Sequence, residues 1–482
     1  MSAASTQLPV QPRSVGIVGA GITGLTAAFR LKQLGIEVVL YEAERRVGGV
    51  IRSIRENGYL AEFGPNSILE ISQKIVSLIR DVGLESRRLY SDARAENRYL
   101  VRNGRPVVLP FSPLKFFGTE LFSARAKLSL LLEPLRRRAA PDVEESVADF
   151  VLRRLGREWL DYAINPLVAG IYAGDPHKLS VPQAFPRLHA VEQRYGSLIL
   201  GQILGARERK RRGEVSKQEA KKISFEEGLQ ELTDTLGAKL ADSTRLGATV
   251  VEIQPRSGGW SVKVRSGGTE TTFQHSALLL AAPAYRLAQI KLCADAGLSL
   301  EPLGAIHYPP VASVVLGFRR EDVAHPLDGF GMLIPQVEGF KILGTLFSSS
   351  LFARRAPPGH VTLTTYIGGV RDPELALLPA DELVRITVAD LSRILGVAGK
   401  PTFRHCMLYP KAIPQYELGY GRFKALMSDL EGKLPGLFFA GHYRDGISLA
   451  DSIISGHDVA QRISAAIVLS GSRPPPGASK TP

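Results

Sequence analysis

A glycine-rich turn between an apolar strand and a helical repeat constrains the fold of this chain more than any other feature. Residues 15–18 read Val-Gly-Ile-Val, and residues 19–24 read Gly-Ala-Gly-Ile-Thr-Gly. A helical pattern of apolar residues follows and ends near Gly35, and a second apolar strand over 37–41 leads to Glu42. This order of elements predicts a complete βαβ unit at the start of a parallel sheet.

The spacing of these glycines, G-x-G-x-x-G, is typical of dinucleotide-binding turns. In such turns the first glycine allows the tight bend, the second lets a pyrophosphate approach the backbone, and the third lets helix and strand pack closely. A carboxylate at the end of the second strand accepts hydrogen bonds from ribose hydroxyls. A glycine cluster alone is often only a turn, and these residues do not distinguish NAD from FAD. The predicted contacts are Gly19, Ala20, Gly21, Ile22, Thr23, Gly24, Glu42 and Ala43.

The segment after Glu42 favours FAD. Arg46, Gly48 and Gly49 form an R-x-G-G pattern that resembles the signature of flavoproteins related to amine oxidases and phytoene desaturases. The alternative is an ordinary turn flanked by arginines. In these flavoproteins the glycines run beside the pyrophosphate and flavin, and an arginine offsets phosphate charge. The resemblance extends to a loop expected near the isoalloxazine ring, formed by Gly64, Pro65, Asn66 and Ser67.

The C-terminal part of the chain carries a second cofactor signal. Residues 436–440 predict a strand, and a helix is predicted to begin near Ile447. In the flavoproteins that the chain resembles, this helix directs its N–H groups at the flavin and stabilises the reduced anion. Two positions depart from the pattern: Glu227 replaces a paired glycine, and His442 stands where many members carry Asp. The resemblance adds Val250, Gly441, Ile447, Ser448 and Leu449 as FAD contacts.

Several other stretches are similar to the protoporphyrinogen oxidases, in the same order along residues 13–463. The resemblance implies that Arg98 binds a propionate of a tetrapyrrole, a task that suits a planar bidentate donor. It also implies that Leu333 and Tyr366 hold a pyrrole ring, although Phe or Met is the usual residue at position 366. Gly170 and Gly174 would lie beside the substrate. Without the resemblance, these residues would be interpreted as a surface arginine, two core side chains and two turn glycines.

The resemblance implies an FAD-dependent oxidase that converts protoporphyrinogen IX to protoporphyrin IX in heme biosynthesis. Three hydrides would pass directly to the flavin N5 atom, and O2 would reoxidise the flavin to give H2O2. No catalytic side chain is therefore assigned, and no histidine has the spacing of a metal ligand. Two alternatives stay open: a coproporphyrinogen III oxidase of the same fold that yields coproporphyrin III, and a flavin- and tetrapyrrole-binding protein without turnover.

Charge and composition indicate the partners. The chain has 60 Lys and Arg against 47 Asp and Glu, a net charge of +13. Because no nucleic-acid motif accompanies the basic clusters, an anionic membrane surface is the preferred partner. The sequence shows neither a secretory signal nor an apolar run of the length that spans a bilayer. The expectation is a cytoplasmic protein of bacterial type, bound peripherally to membrane, with a homodimer as one assembly state left open.

The predicted fold is mixed α/β, with a Rossmann-like FAD-binding domain of the two-dinucleotide-binding type. Residues 13–90, 222–300 and 404–469 are assigned to this discontinuous domain. A helical substrate- and membrane-binding insertion covers 91–221, and a mixed-sheet substrate domain covers 301–403. The tail, 470–482, is rich in proline and is predicted to be disordered.

Overall fold

The computed structural model describes residues 14–110, 112–140, 143–212, 220–295 and 297–471 of the 482-residue chain. The strands are β1 (Ser14–Val18), β2 (Glu37–Glu42), β3 (Ser53–Glu56), β4 (Tyr59–Glu62), β5 (Ile68–Leu69), β6 (Arg88–Tyr90), β7 (Asn97–Arg102), β8 (Arg105–Val108), β9 (Lys222–Phe225), β10 (Thr244–Leu246), β11 (Thr249–Arg256), β12 (Gly259–Ser266), β13 (Thr269–His275), β14 (Ala277–Leu280), β15 (Lys291–Leu292), β16 (Val311–Arg319), β17 (Gly329–Leu333), β18 (Ile342–Leu346), β19 (His360–Gly368), β20 (Phe403–Tyr409) and β21 (Leu437–Phe439). The helices are α1 (Ile22–Gln33), α2 (Gln73–Val82), α3 (Pro113–Gly118), α4 (Ala124–Leu131), α5 (Val147–Arg154), α6 (Arg157–Trp159), α7 (Asn165–Tyr172), α8 (Val181–Ala184), α9 (Pro186–Tyr195), α10 (Leu198–Arg212), α11 (Gln230–Lys239), α12 (Ala284–Leu287), α13 (Ser348–Leu351), α14 (Pro373–Ala376), α15 (Ala380–Leu395), α16 (Gly421–Lys433) and α17 (Leu449–Gly471).

A parallel five-stranded sheet, in the order β10-β2-β1-β14-β21, joins distant parts of the chain. Its central strand β1 is buried along its whole length, as expected for a parallel sheet covered on both faces. Helices α1 and α17 pack against each other so closely that a Cβ on Gly456 would lie 2.5 Å from the Thr23 carbonyl oxygen. The first and last helices of the fold are therefore neighbours.

On its other side, the parallel sheet packs against a four-stranded sheet of order β13-β12-β11-β15. Fully buried Trp260 lies in this core together with Leu278 and Leu280 of β14. Strands β11, β12 and β13 are antiparallel neighbours. This layer holds residue 250 in a fixed position next to the parallel sheet.

A mixed seven-stranded sheet, in the order β20-β16-β19-β18-β17-β7-β8, forms the second large unit. Neighbouring strands are antiparallel except for the parallel pair β17 and β7. One face is apolar and packs on α15, through residues such as Val314 and Leu391. Because side chains alternate along a strand, the intervening residues lie on the opposite face, which helix α7 approaches.

The helices between β8 and β9 contain a buried ionic cluster. Arg154 and Glu133 are fully buried and 3.0 Å apart, and Arg154 also pairs with Glu192 at 2.6 Å. The Glu133 carboxylate accepts hydrogen bonds from the backbone N–H groups of Leu198 and Ile199 at the start of α10. The cluster fixes α5, α9 and α10 to one another, and a buried pair of this kind is costly to break by removing one partner.

Several elements differ from the sequence predictions. Segment 91–221, predicted to be helical, begins with β7 and β8, because these strands complete the edge of the seven-stranded sheet. Strand β20, assigned to the FAD-binding segments, joins the same sheet through β16. Helix α17 extends to Gly471, so residues 470 and 471 are helical, and the rest of the predicted tail lies outside the described residues. Within the described part of the chain, no helix is both long and apolar enough to cross a bilayer.

Candidate functional site

The glycine turn has the geometry that its spacing predicts. Gly19 has a φ of +104°, and its N–H donates to the Tyr41 carbonyl oxygen at 2.8 Å. A Cβ on Gly24 would lie 1.9 Å from the Gly19 oxygen, so only glycine fits there. A Cβ on Gly21 would meet no atom within 4 Å, so this residue borders open space. Because α1 starts here without a side-chain cap, its first N–H groups are available to an anion.

Glu42 closes the turn from the end of β2. One carboxylate oxygen accepts the Ala20 N–H at 2.7 Å, and the other accepts the Glu44 N–H at 2.9 Å. The Glu42 carbonyl accepts the N–H of Ala248, two residues before buried Val250. The structure thus brings the predicted carboxylate and residue 250 to the same side of the turn. Ala43 is exposed directly after Glu42.

The arginine-glycine loop lies against the glycine turn. The Gly48 N–H donates to the Ala20 carbonyl oxygen at 2.8 Å, and a Cβ on Gly49 would lie 3.4 Å from the Gly21 Cα. The Arg46 guanidinium donates to the carbonyl oxygens of Val47, Gly49 and Ile51. Arg46 therefore holds its own loop in shape, in addition to placing a positive charge beside the turn. The resemblance predicted that Arg46 offsets phosphate charge, but it did not predict these hydrogen bonds to the carbonyl oxygens of its own loop.

The predicted closing helix meets the same turn. The Thr23 hydroxyl donates to the Ser452 carbonyl oxygen at 3.1 Å, so the first turns of α1 and α17 are in contact. Ser448 caps α17, since its hydroxyl oxygen accepts the Asp451 N–H at 3.0 Å. Gly441 has a φ of +122°, and a Cβ there would lie 3.7 Å from the Thr23 hydroxyl. Ile447 and Leu449 are the neighbours of Ser448 in sequence. The predicted C-terminal contacts therefore lie together at the start of α17, which meets the glycine turn at Thr23.

Buried tyrosines fix the loop between β21 and α17, a feature that the sequence interpretation missed. The Tyr416 hydroxyl donates to the His442 carbonyl oxygen at 2.5 Å and accepts the Gly446 N–H at 3.2 Å. The Tyr420 hydroxyl donates to the Tyr443 carbonyl oxygen at 2.6 Å. His442 lies 3.3 Å from the Tyr308 hydroxyl, and burial lowers its pKa to about 4. His442 is therefore neutral near pH 7.

These residues fit a dinucleotide. Glycines 21, 49 and 441 surround the Thr23 turn, and side chains at these positions would fill the space that they leave. Two helix N-termini meet there, with N–H donors and partial positive charge suited to a pyrophosphate. A carboxylate suited to ribose hydroxyls lies on one side of the turn. The donor set is that of a dinucleotide site.

The loop over residues 64–67 connects this site to the seven-stranded sheet. The Asn66 side-chain amide donates to the Tyr366 hydroxyl at 2.6 Å and to the Gly64 carbonyl oxygen at 3.2 Å. A Cβ on Gly64 would lie 2.3 Å from the Val50 carbonyl oxygen, so the loop is packed on the arginine-glycine segment. The Tyr366 hydroxyl, which departs from the usual Phe or Met, therefore has its partners in this loop. Pro65 and Ser67 are half-buried beside it.

Leu333 and Tyr366 lie on the same face of the sheet. Leu333 pairs with Gly344 of β18, and Gly344 pairs with Tyr366 of β19, so all three share a face. Helix α7 crosses this face, and a Cβ on Gly170 would lie 2.5 Å from a Leu333 methyl carbon. Leu333 and Tyr366, the two residues predicted to hold a pyrrole and called the clamp below, are thus brought together with Gly170.

Gly174, the other predicted glycine, packs against Gln415. A Cβ on Gly174 would lie 2.4 Å from the Gln415 side-chain oxygen. The Gln415 side-chain amide donates to the Tyr172 carbonyl oxygen at 2.8 Å, which fixes the end of α7. A side chain at position 174 would displace Gln415. Gly174 therefore contacts Gln415 rather than Leu333 or Tyr366.

Arg98 is on the same face as the clamp. It pairs with Gly331 of β17, two residues before Leu333. The side chain is partly buried, and this burial lowers the pKa of its guanidinium. An arginine placed at the edge of an apolar face can bind one end of a flat molecule through a carboxylate.

A second missed feature is a buried acid beside the loop over residues 64–67, called the cofactor loop below. Glu62 accepts hydrogen bonds from the Ser53 hydroxyl at 2.6 Å and the Leu229 N–H at 2.7 Å, and lies 3.9 Å from buried Arg355. Burial raises the pKa of Glu62 to about 7. Nothing in the local pattern Tyr-Leu-Ala-Glu marks this carboxylate as buried. Glu227, the departure from the paired glycines, is an exposed partner of Arg55 at 2.6 Å.

Comparison with known proteins agrees with this geometry. Residues 22–464 match the family described as flavin containing amine oxidoreductase. The chain belongs to this family. Membership confirms the predicted oxidoreductase class, the flavin cofactor FAD and the mixed α/β fold with mixed sheets.

Within the family, the predicted resemblance to protoporphyrinogen oxidases is confirmed. The chain is 38% identical over 472 residues to protoporphyrinogen oxidase 2 of Arabidopsis thaliana, covering 93% of each chain. It is 29% identical over 459 residues to coproporphyrinogen III oxidase of Bacillus subtilis strain 168, covering 92% of this chain and 96% of the relative. A solved structure, provisionally named protoporphyrinogen oxidase, from Exiguobacterium sp. 255-15 has a TM-score of 0.78 at 23% identity, covering 94% and 99%. At that identity it supports the fold alone.

Proposed function

We propose that the chain oxidises protoporphyrinogen IX to protoporphyrin IX with O2 as final acceptor. The observation that carries this proposal is one face of the seven-stranded sheet that presents Arg98, Leu333 and Tyr366, with Tyr366 hydrogen-bonded to Asn66 of the cofactor loop. An apolar clamp with one cationic end matches a flat macrocycle that carries carboxylates. The 38% identity to the Arabidopsis protoporphyrinogen oxidase over 472 residues supports the same substrate.

FAD, when bound, supplies the hydride acceptor for this chemistry. The chain's own residues orient and enclose the substrate. Arg98 holds a propionate, and Leu333 and Tyr366 position a pyrrole between them. Asn66 fixes the Tyr366 hydroxyl, so that the distance between the clamp and the cofactor loop stays constant. Such positioning, with water excluded, is the main contribution a protein makes to direct hydride transfer.

The proposed cofactor contacts are the residues predicted from the sequence. Glycines 19, 21 and 24, with Ala20, Ile22 and Thr23, would hold the pyrophosphate at the start of α1. Glu42 would accept the ribose hydroxyls, with Ala43 and Val250 on the adenine side. The remaining proposed contacts are Arg46, Gly48, Gly49, Gly64, Pro65, Asn66, Ser67, Gly441, Ile447, Ser448 and Leu449.

The proposed division of the chain follows the two large sheets. Residues 13–90, 222–300 and 404–469 would bind FAD, because all strands of the parallel sheet come from these segments. Residues 91–221 and 301–403 would bind substrate, with β20 moved to this part because of its pairing.

The test of the function is porphyrin fluorescence. Purified protein with bound FAD is mixed with protoporphyrinogen IX or coproporphyrinogen III, under air and under nitrogen. We expect fluorescence to rise with protoporphyrinogen under air, with three O2 consumed and three H2O2 formed per porphyrin. Equal or faster oxidation of coproporphyrinogen would favour the second candidate, which the Bacillus subtilis relative supports at lower identity. No O2 consumption with either substrate would indicate a binding protein without turnover.

We also propose that the helical segment after β8 rests on an anionic membrane surface. Its exposed face combines apolar and basic side chains, and Leu135 is 81% exposed. Such a mixture is typical of interfacial binding, in which the apolar residues enter the lipid headgroup region. The apolar members are Phe117, Leu128, Leu131, Leu132, Leu135, Leu200, Ile203 and Leu204, and the basic members are Lys115, Arg125 and Arg136–Arg138.

Flotation with lipid vesicles tests this surface. We expect the protein to float with vesicles that contain anionic lipid and to float less in high salt. Leu131→Ser combined with Leu135→Ser should reduce flotation, whereas Leu377→Ser, also exposed but outside this segment, should not. Unchanged flotation of the double variant would refute the proposal. Light scattering on the same samples distinguishes a monomer from the homodimer.

A further inference from the structure

The short strand β9 has two different faces. Ile223 and Phe225 pack in the core around α1 and α11. Ser224, between them, faces the other way and accepts a hydrogen bond from buried Arg355 at 2.7 Å. Because side chains alternate along a strand, Lys222 lies on the Ser224 side. It therefore faces the unit that contains the seven-stranded sheet.

Lys222 lies next to the carboxylate-binding end of the clamp. Its ammonium is 5.5 Å from the centre of the Phe330 ring, and Phe330 immediately precedes Gly331, the partner of Arg98 in the sheet. Burial lowers the pKa of Lys222, and the neighbouring Arg98 charge lowers it further. Among the described residues, exposed Glu96 is the acid whose charge opposes this shift of the Lys222 pKa. Two partly buried cations thus adjoin each other at one end of the clamp.

We propose that Lys222 binds a second carboxylate of the substrate beside the one held by Arg98; this inference rests on the proposed function. The propionates of protoporphyrinogen IX are on adjacent pyrroles, so two neighbouring cations can bind them together. The attraction of the two carboxylates offsets the repulsion between the two cations. Lysine provides a point charge that a mobile propionate can reach from several directions.

The two neighbouring cations also bear on whether the substrate is protoporphyrinogen IX, with two carboxylates, or coproporphyrinogen III, with four. Leu333 also packs against an apolar cluster that contains Leu100 and Phe122, and Gly170 packs on Leu333. A coproporphyrinogen carries two more carboxylates on the other pyrroles, and a carboxylate buried against this apolar cluster without a partner would be costly. Lys222 therefore favours a diacid with both carboxylates on one side of the ring.

The test compares Lys222→Met with the matched control Lys221→Met, in which the neighbouring exposed lysine changes. For protoporphyrinogen IX we expect Lys222→Met to raise KM about tenfold, the loss of roughly 1.4 kcal/mol of binding, with kcat within about twofold. For the dimethyl ester, which lacks both charges, the same variant should leave KM unchanged. Lys222→Arg should restore most of the affinity for the diacid. An equal rise in KM for diacid and ester, or no rise for either, would overturn the proposal.

A binding measurement separates this inference from the proposed function. Protoporphyrin IX and its dimethyl ester are titrated into the FAD-loaded protein, and quenching of porphyrin fluorescence gives Kd without turnover. We expect Lys222→Met to weaken binding of the diacid about tenfold, relative to Lys221→Met, and to leave the ester unchanged. A wild-type protein that forms no porphyrin under air would contradict the function alone. Equal diacid affinity in both variants would contradict the role of Lys222 alone.

Discussion

Single charged residues that are partly removed from water dominate the site. Arg98 and Lys222 are half-buried cations, and Glu62 is a buried acid beside the cofactor loop. A charge in such surroundings interacts more strongly with a ligand or a neighbour than an exposed charge does. Substitutions at these residues should therefore have effects that can be separated from one another by substrate, flavin and pH.

Arg98→Ala tests the carboxylate contact. We expect KM for protoporphyrinogen to rise roughly ten- to hundredfold, because a charge-assisted hydrogen bond contributes about 1.5–3 kcal/mol. Bound FAD, measured from its absorbance, should stay at the wild-type level. Arg105→Ala, at an exposed arginine on neighbouring strand β8, is the control and should change neither quantity. A comparable loss of flavin in Arg98→Ala would contradict the assignment.

Glu62→Gln tests the buried acid through the pH dependence of stability. The folded pKa is about 7 and the ordinary value is 4.5, so the folded state binds this proton more tightly than the unfolded state. The free energy of unfolding should therefore fall by about 3 kcal/mol as pH rises from about 4.5 to 7. In Glu62→Gln this part of the slope should be absent in urea titrations at each pH. A slope identical to that of the wild type would show that Glu62 is not the group responsible.

Among the structural elements, the two helices that meet at Thr23 and Ser452 have the most exacting backbone requirements. Gly24→Ala would place a methyl group 1.9 Å from the Gly19 oxygen. We expect this variant to lose most of its FAD, because the turn must open to admit the methyl group. Gly432→Ala in α16, where a Cβ meets no atom within 4 Å, should keep its flavin and gain slightly in stability. Yellow Gly24→Ala protein with wild-type absorbance would contradict the proposed role of the turn.

The elements also show what could be predicted from the sequence. The βαβ unit was predictable because Gly19 and Gly24 have local causes, a tight bend and a close contact, within 30 residues of sequence. Strands β7 and β8, with the sequences Asn-Arg-Tyr-Leu-Val-Arg and Arg-Pro-Val-Val, were missed because neither has the strict alternation of apolar and polar residues that is typical of a half-buried strand. Lys222 was missed for a related reason: β9 is four residues long, too short to show which side chain faces which unit.

For the molecule as a whole, the proposed FAD contacts come from segments that are distant in sequence. A ligand that binds only the folded state stabilises it in proportion to the logarithm of its concentration over Kd. We expect removal of FAD to lower Tm by several degrees, since saturation at a hundred times Kd contributes about 2.7 kcal/mol. Adding FAD back should restore the wild-type Tm, as measured by tryptophan fluorescence during heating. A Tm that is independent of FAD would mean that the segments are held together without it.

The contact between the first and last helices has a consequence for synthesis. The turn at residues 19–24 leaves the ribosome before its counterpart in α17, which follows more than 400 residues later. A nascent chain can therefore fold its opening βαβ unit long before it can retain the cofactor. Flavin capture must wait until α17 has been made, so chains cut short before residue 449 should emerge colourless.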